Sequence, residues 1–157
     1  MKKINVTNLL ISIVLTELIG MLSGFLVGNS KAFYETLFLP PFSPPSWIFP
    51  VVWGILYALM GVAAYLIFEF VPPSTERKKA FILYAVQLAF NFLWTLFFFR
   101  LELLWGSIAV IILVDIIGII TTIKFYKLKK SAGYFLIPYL IWILFATYLN
   151  IGIALLN

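Results

Sequence analysis

The sequence contains no cysteine and no histidine. Without cysteine there are no disulfides and no thiolate metal sites. Without histidine the commonest transition-metal ligand and the commonest general base are both missing. Most metal chemistry and all triad chemistry built on histidine are excluded, and no cofactor is expected. Charge is scarce as well. Only 11% of the 157 residues are Asp, Glu, Lys or Arg, against roughly 25% in ordinary soluble domains, and only 6 are acidic. What fills the chain instead is apolar: 64% hydrophobic residues, with aromatics at 18%. Such a composition belongs in a membrane.

Five apolar spans stand out, at about 4–28, 46–70, 80–99, 103–123 and 133–155. A helix needs about 20 residues to cross ~30 Å of hydrocarbon, and each span meets that length. Lys2 and Lys3 precede the first span as they would a secretory signal. The span is too long for a signal core and lacks a small-x-small cleavage site, so it reads as a retained helix. The expected fold is therefore all-α: one transmembrane domain over residues 1–157, a five-helix bundle, with a long loop at 29–45.

The few charges sort by side. Lys2 and Lys3, then Arg77, Lys78 and Lys79, then Lys124, Lys127, Lys129 and Lys130 fall in alternate connections. The other connections hold only Lys31 and Arg100, each near an acid, Glu35 or Glu102. The positive-inside rule places the N-terminus in the cytoplasm and the C-terminus outside, as a multi-pass protein of the cell membrane. The net charge of +5 thus needs no nucleic-acid partner; it sets orientation and suits anionic lipid.

Helical spacing then picks out faces that bulk lipid does not require. Pro50, Trp53, Tyr57 and Met60 share a stripe, as do Gln87, Asn91, Trp94 and Phe98, and Tyr139, Trp142, Ala146 and Leu149, with Asn150 alongside. Asp115, Gly118 and Thr122 share another. Such stripes mark inward faces, where Trp53, Trp94 and Trp142 line a cavity or simply pack; Trp105 fits an interfacial anchor. Glu17 and Asp115 face the bundle or a wet cavity, or are protonated, and an interhelical hydrogen bond is the simpler account of each against a ligand or proton-relay role. Asn91 is either helix-to-helix glue or a ligand contact. Glu17, Gly20, Gly24 and Gly28 share a face containing two overlapping GxxxG patterns, which serve packing within the chain or a homodimer. Pro138 inside the fifth span favours a kink.

Five of the 8 prolines crowd into residues 40–50, in LPPFSPPSWIFP. Pro44 and Pro45 suit the first turn of a helix, with Ser43 as its N-cap. Pro40 and Pro41 stiffen the loop before them. The preceding KAFYETLFL is too apolar for an ordinary exposed loop. The stretch is read as a stiff lid, comprising Pro40, Pro41, Phe42, Pro44, Pro45 and Trp47, over a cavity between the helices. A rigid turn within an aromatic belt is the plainer alternative.

Three blocks, PPFSPPSWIFPVVWGILYALMGVAAYL (40–66), QLAFNFLWTLFFF (87–99) and PYLIWILFATYLN (138–150), resemble the translocator protein family (TspO/MBR), and the resemblance spans nearly the whole chain. It implies five transmembrane helices, a lid loop, often a dimer, and a cavity for porphyrins, other tetrapyrroles and similar flat apolar ligands, benzodiazepine-site drugs among them. Carried over by motif, Trp53, Tyr57, Asn91, Trp94, Trp142, Ala146 and Leu149 would bind the ligand. Trp53 and Trp142 would be catalytic if the chain degrades porphyrin under light. The resemblance leaves sensor, carrier or scavenger as the first reading, that photo-oxidative enzyme as the second, and a transporter or channel as the third. The chain lacks the inverted repeat of many transporters. Two departures stand out. Leu39 and Pro41 replace a Lys and a Ser of the family's lid motif, removing a contact for a ligand carboxylate. No basic residue follows Tyr148, so no cholesterol partner is expected through the motif that vertebrate members carry there.

Overall fold

The computed structural model describes residues 4–157. Lys2 and Lys3, and the expectation resting on them, lie outside the described residues. The described chain is helical, with no strand: α1 (Val6–Val27), α2 (Ser30–Thr36), α3 (Ile48–Phe70), α4 (Thr75–Thr95), α5 (Leu104–Leu128) and α6 (Lys130–Leu156). A π-helical turn, Leu96–Arg100, continues α4. All but α2 are long and apolar enough to cross a membrane, α4 together with its π turn.

α4, α5 and α6 outrun their apolar spans at the end that carries the basic clusters, for local reasons. The Ser74 side chain accepts from the Arg77 N–H and starts α4 at Thr75, with Glu76 in the first turn. α5 runs on through Lys124 and Lys127, whose long stems keep the charge near water. Lys124 and Lys79 both pair with Glu76, which ties α4 to α5 there. At the same end the Asn5 N–H donates to the Tyr65 hydroxyl (2.9 Å) and Asn8 donates to Glu69 (3.0 Å), joining α1 to α3.

Small residues set the closest approaches. A Cβ on Gly61 of α3 would lie 2.6 Å from the Ile13 Cα of α1, and the Ser12 hydroxyl donates to the Gly61 carbonyl at 2.7 Å. A Cβ on Gly133 would come within 2.7 Å of the Tyr126 Cα, which closes the α5–α6 hairpin. Where backbones approach this closely, dispersion and hydrogen bonding hold the bundle, since lipid offers no hydrophobic drive between helices. Met60, Ile67, Ile111, Phe125, Leu136, Tyr139 and Ile143 fill the interior. Phe25, Ile55, Trp105 and Ile141 are exposed, on the surface that lipid covers.

Two expectations change. Residues 29–45 are not one loop, because Ser30–Thr36 form α2. Gly28, at φ 72, makes the turn between α1 and α2, a conformation that favours glycine. Second, Ser43 is not an N-cap, and Pro44 and Pro45 do not open a helix. α3 begins at Ile48, and its N-cap Trp47 makes no side-chain cap bond. Each proline biases the residue before it toward extended backbone, so the paired rings delay the helix. The Ser43 hydroxyl donates instead to the Pro40 carbonyl (2.7 Å), across a turn in which Phe42 takes φ 65. The proline that fits a helix start is Pro50, in the first turn of α3, where an N–H has no intrahelical partner anyway. α6 is one helix from Lys130 to Leu156 with Pro138 inside it, on the exposed face.

The strap from Leu37 to Trp47 is fastened to α6. Asn157 donates to the Phe38 carbonyl (2.9 Å) and accepts from the Phe38 N–H (3.0 Å). Tyr148 donates to the Pro41 carbonyl (2.9 Å), and Pro40 packs on Gly152 so closely that a Cβ there would meet its ring at 2.7 Å. The other side of the strap holds α2, through a bond from the Tyr34 hydroxyl to the Pro44 carbonyl (2.9 Å).

Candidate functional site

Between α1, α3 and the end of α4, roofed by α2, lies a cavity of about 410 Å³. That falls within the ~300–1,000 Å³ of ordinary small-molecule sites. α1 gives it Glu17, Gly20, Ser23 and Gly24; α2 gives Lys31 and Tyr34; α3 gives Phe49, Trp53 and Tyr57; α4 and its π turn give Trp94 and Phe99. Ser46 and Trp47, at the end of the strap, complete the mouth. The glycine stripe of α1 therefore serves the cavity. A Cβ on Gly20 would strike the Tyr57 ring at 2.5 Å, and Gly24 has open space before it.

Trp53 is the aromatic centre. Its ring lies 5.7 Å from Tyr57, 6.2 Å from Trp94 and 6.4 Å from Tyr139. The indole nitrogens differ in their commitments. Trp94 donates to the Asn150 side chain at 2.9 Å, and Asn150 in turn donates to the Leu104 carbonyl. Trp94 is thereby locked across α4, α5 and α6. Asn91 donates to the Tyr57 hydroxyl at 2.8 Å. Because that hydroxyl accepts, its own proton is left to donate to something else. Asn91 itself stands behind Tyr57 and lines neither this cavity nor the next.

A second, smaller cavity of about 20 Å³ holds Ala146, Leu149, Asn150 and Ile153 of α6. Tyr34, Phe49, Trp94 and Phe99 line both cavities and so form an aromatic partition between them. The π turn helps build it: Phe98 and Phe99, 4.7 Å apart, both pack on Trp94. Trp142 lies behind this partition. It meets Phe49 edge-on at 6.0 Å, and its buried indole N–H has no partner among the described residues.

The expected residues thus divide. Trp53, Tyr57, Trp94 and Trp47 line the main cavity. Ala146 and Leu149 line the lesser one, and Asn91 and Trp142 support the walls. Of the expected lid residues, Trp47 reaches the cavity, Pro40 and Pro44 anchor the strap, and Phe42 is almost fully exposed at 89%. Tyr34, Phe49 and Phe99 were missed. The signal for Tyr34 was the apolar run KAFYETLFL, which makes sense once α2 turns that tyrosine inward. Burial pushes the Tyr34 phenol up, against a pull from the nearby Ser43 hydroxyl, so it stays a neutral donor to Pro44.

The two acids inside the spans behave differently. Asp115 of α5 accepts from the Thr147 hydroxyl of α6 at 2.7 Å, the interhelical bond expected of it. Glu17 has no hydrogen-bond or ion-pair partner among the described residues and faces the cavity. Placing a carboxylate there costs about 2.5–3.5 kcal/mol on insertion scales.

The TspO/MBR family model matches residues 12–156. The tryptophan-rich protein TspO of Archaeoglobus fulgidus is 38% identical over 154 residues, covering 98% of this chain and 99% of that protein. The tryptophan-rich sensory protein of Cereibacter sphaeroides is 37% identical over 124 residues, 79% and 76% of the two chains. The human translocator protein is 34% identical over 129 residues, 82% and 76%.

Proposed function

This chain belongs to the TspO/MBR family of multi-pass membrane proteins, and from that membership we propose that it binds porphyrins and other flat tetrapyrroles as a sensor, carrier or scavenger. One observation carries the reading: a cavity walled by Trp47, Trp53, Tyr57 and Trp94. A flat macrocycle buries a large area against such rings, and each aromatic contact adds about 0.5–1.5 kcal/mol. The Tyr57 hydroxyl, oriented by Asn91, supplies a polar contact that fixes orientation. α2 and the strap form the lid. Because the strap is tied to α6, entry goes by way of α2 and Trp47 rather than by lifting the strap. The protein sits in the cell membrane with its N-terminus in the cytoplasm. This is supported by Arg77, Lys78, Lys124 and Lys127 gathering at one end of the bundle.

The test is a titration of the purified protein with protoporphyrin IX, read by Trp fluorescence in the dark and by the porphyrin bands under illumination. Saturable quenching with stable bands is the expected result. Absence of saturable quenching overturns the reading. Light-dependent loss of the bands that vanishes in Trp53→Phe, while binding survives, would instead establish photo-oxidative degradation. What favours that second reading is the run of ring contacts from Tyr57 through Trp53 to Trp94 beside the cavity.

A further inference from the structure

Glu17 is placed where no structural duty explains it. It lies eleven residues into α1 and ten from its end, about 15 Å from either end, too deep for its short side chain to reach past the helix ends. The polar ties of α1 to its neighbours are made by other residues, Asn5, Asn8, Ser12 and Thr16, all nearer the helix start. Thr16, the adjacent residue, shares a hydrogen bond with Tyr84 at 3.1 Å on a different face. Glu17 instead points along the glycine stripe into the cavity, with Gly20 and Gly24 leaving the way clear and Tyr57 beside it. At the opposite end of the same cavity stands Lys31, whose only ion pair among the described residues is a loose, solvent-exposed one with Glu35 at 3.9 Å. The cavity is therefore polarised along its length, with an acceptor at the base and a cation at the mouth.

We propose that Glu17 is a ligand-binding residue that accepts hydrogen bonds from N–H donors on the inner edge of the ligand, while Lys31 meets acidic groups at its outer end. This rests on the tetrapyrrole reading above and narrows it. A closed porphyrin turns its N–H groups into its own ring, where an acceptor at the cavity wall does not reach them. An open-chain tetrapyrrole presents its pyrrole N–H groups along one concave edge, and its carboxylates lie together on the other side. The cavity thus favours open-chain tetrapyrroles, held by charge-assisted hydrogen bonds at both ends.

The experiment is a fluorescence titration in nanodiscs with three probes: biliverdin, its dimethyl ester and protoporphyrin IX. Glu17→Gln is expected to weaken biliverdin about tenfold and protoporphyrin IX by less than about threefold. Lys31→Gln is expected to remove the preference for biliverdin over its ester. A Glu17→Gln variant that leaves biliverdin within about twofold of wild type, or that weakens both tetrapyrroles equally, overturns the inference. Wild type that binds protoporphyrin IX while Glu17→Gln leaves biliverdin unchanged sinks this inference alone; failure of wild type to bind any of the three sinks the tetrapyrrole reading and this one with it. Should Glu17→Gln not elute as a single folded species, Glu17→Asp carries the same comparison. It keeps the charge but withdraws it by one methylene, and it should discriminate between the probes in the same direction.

Discussion

At the scale of single residues, the two tryptophans that the resemblance paired have separate positions. Trp53 lines the main cavity and touches three other rings. Trp142 lines neither cavity and touches the partition through Phe49. Trp53→Phe is expected to weaken protoporphyrin IX binding about 2- to 10-fold, the equivalent of one aromatic contact. Trp142→Phe should change it far less, since the Phe49 ring stands between. Titration of both variants checks this; equal losses would mean that the partition opens when ligand binds and the two cavities merge. Spacing alone put both indoles on inward faces. It carried no information on Phe49, because a phenylalanine in an apolar span looks the same facing lipid, core or cavity.

At the scale of helices, the glycines divide into two kinds that look alike in sequence. Gly61 sits where a Cβ would press on the backbone of Ile13, which has nowhere to move. Gly61→Ala should therefore destabilise the bundle by about 1–3 kcal/mol, the usual cost of overpacking, despite the better helix propensity of alanine. Gly24 has nothing within 4 Å of such a Cβ. Gly24→Ala should leave stability unchanged or raise it, by up to about 1 kcal/mol. Thermal unfolding in one detergent compares them directly, and a Gly24→Ala loss as large as that of Gly61→Ala would contradict the packing described. The GxxxG pattern flagged Gly20, Gly24 and Gly28 and missed Gly61, since the pattern records spacing and not the neighbour. The strap shows the same limit. Its stiffness was readable from the prolines, but its attachment depends on Asn157 and Tyr148, more than 100 residues away.

At the scale of the whole molecule, the arrangement of charge makes a prediction about sidedness. The chain has no native cysteine, so single cysteines report cleanly. In intact cells, a membrane-impermeant maleimide should label Thr36→Cys, at the end of α2, and should not label Ser74→Cys, the α4 cap, until the membrane is broken. The reverse pattern would invert the orientation and place the mouth of the cavity in the cytoplasm.

What the sequence determined by itself was the solvent, the number of crossings and the inward stripes. Each of these depends on composition or on a helical period, which are local properties. It also marked Glu17 and Asp115 as costly, but gave both the same simple account. Only the tertiary structure separated them, by setting Thr147 of α6 against Asp115 and open cavity against Glu17. The same holds for the partition of Tyr34, Phe49, Trp94 and Phe99, drawn from three helices and a π turn. A period along one helix says which residues share a face; what that face meets is decided by helices distant in sequence, through packing that no local pattern encodes.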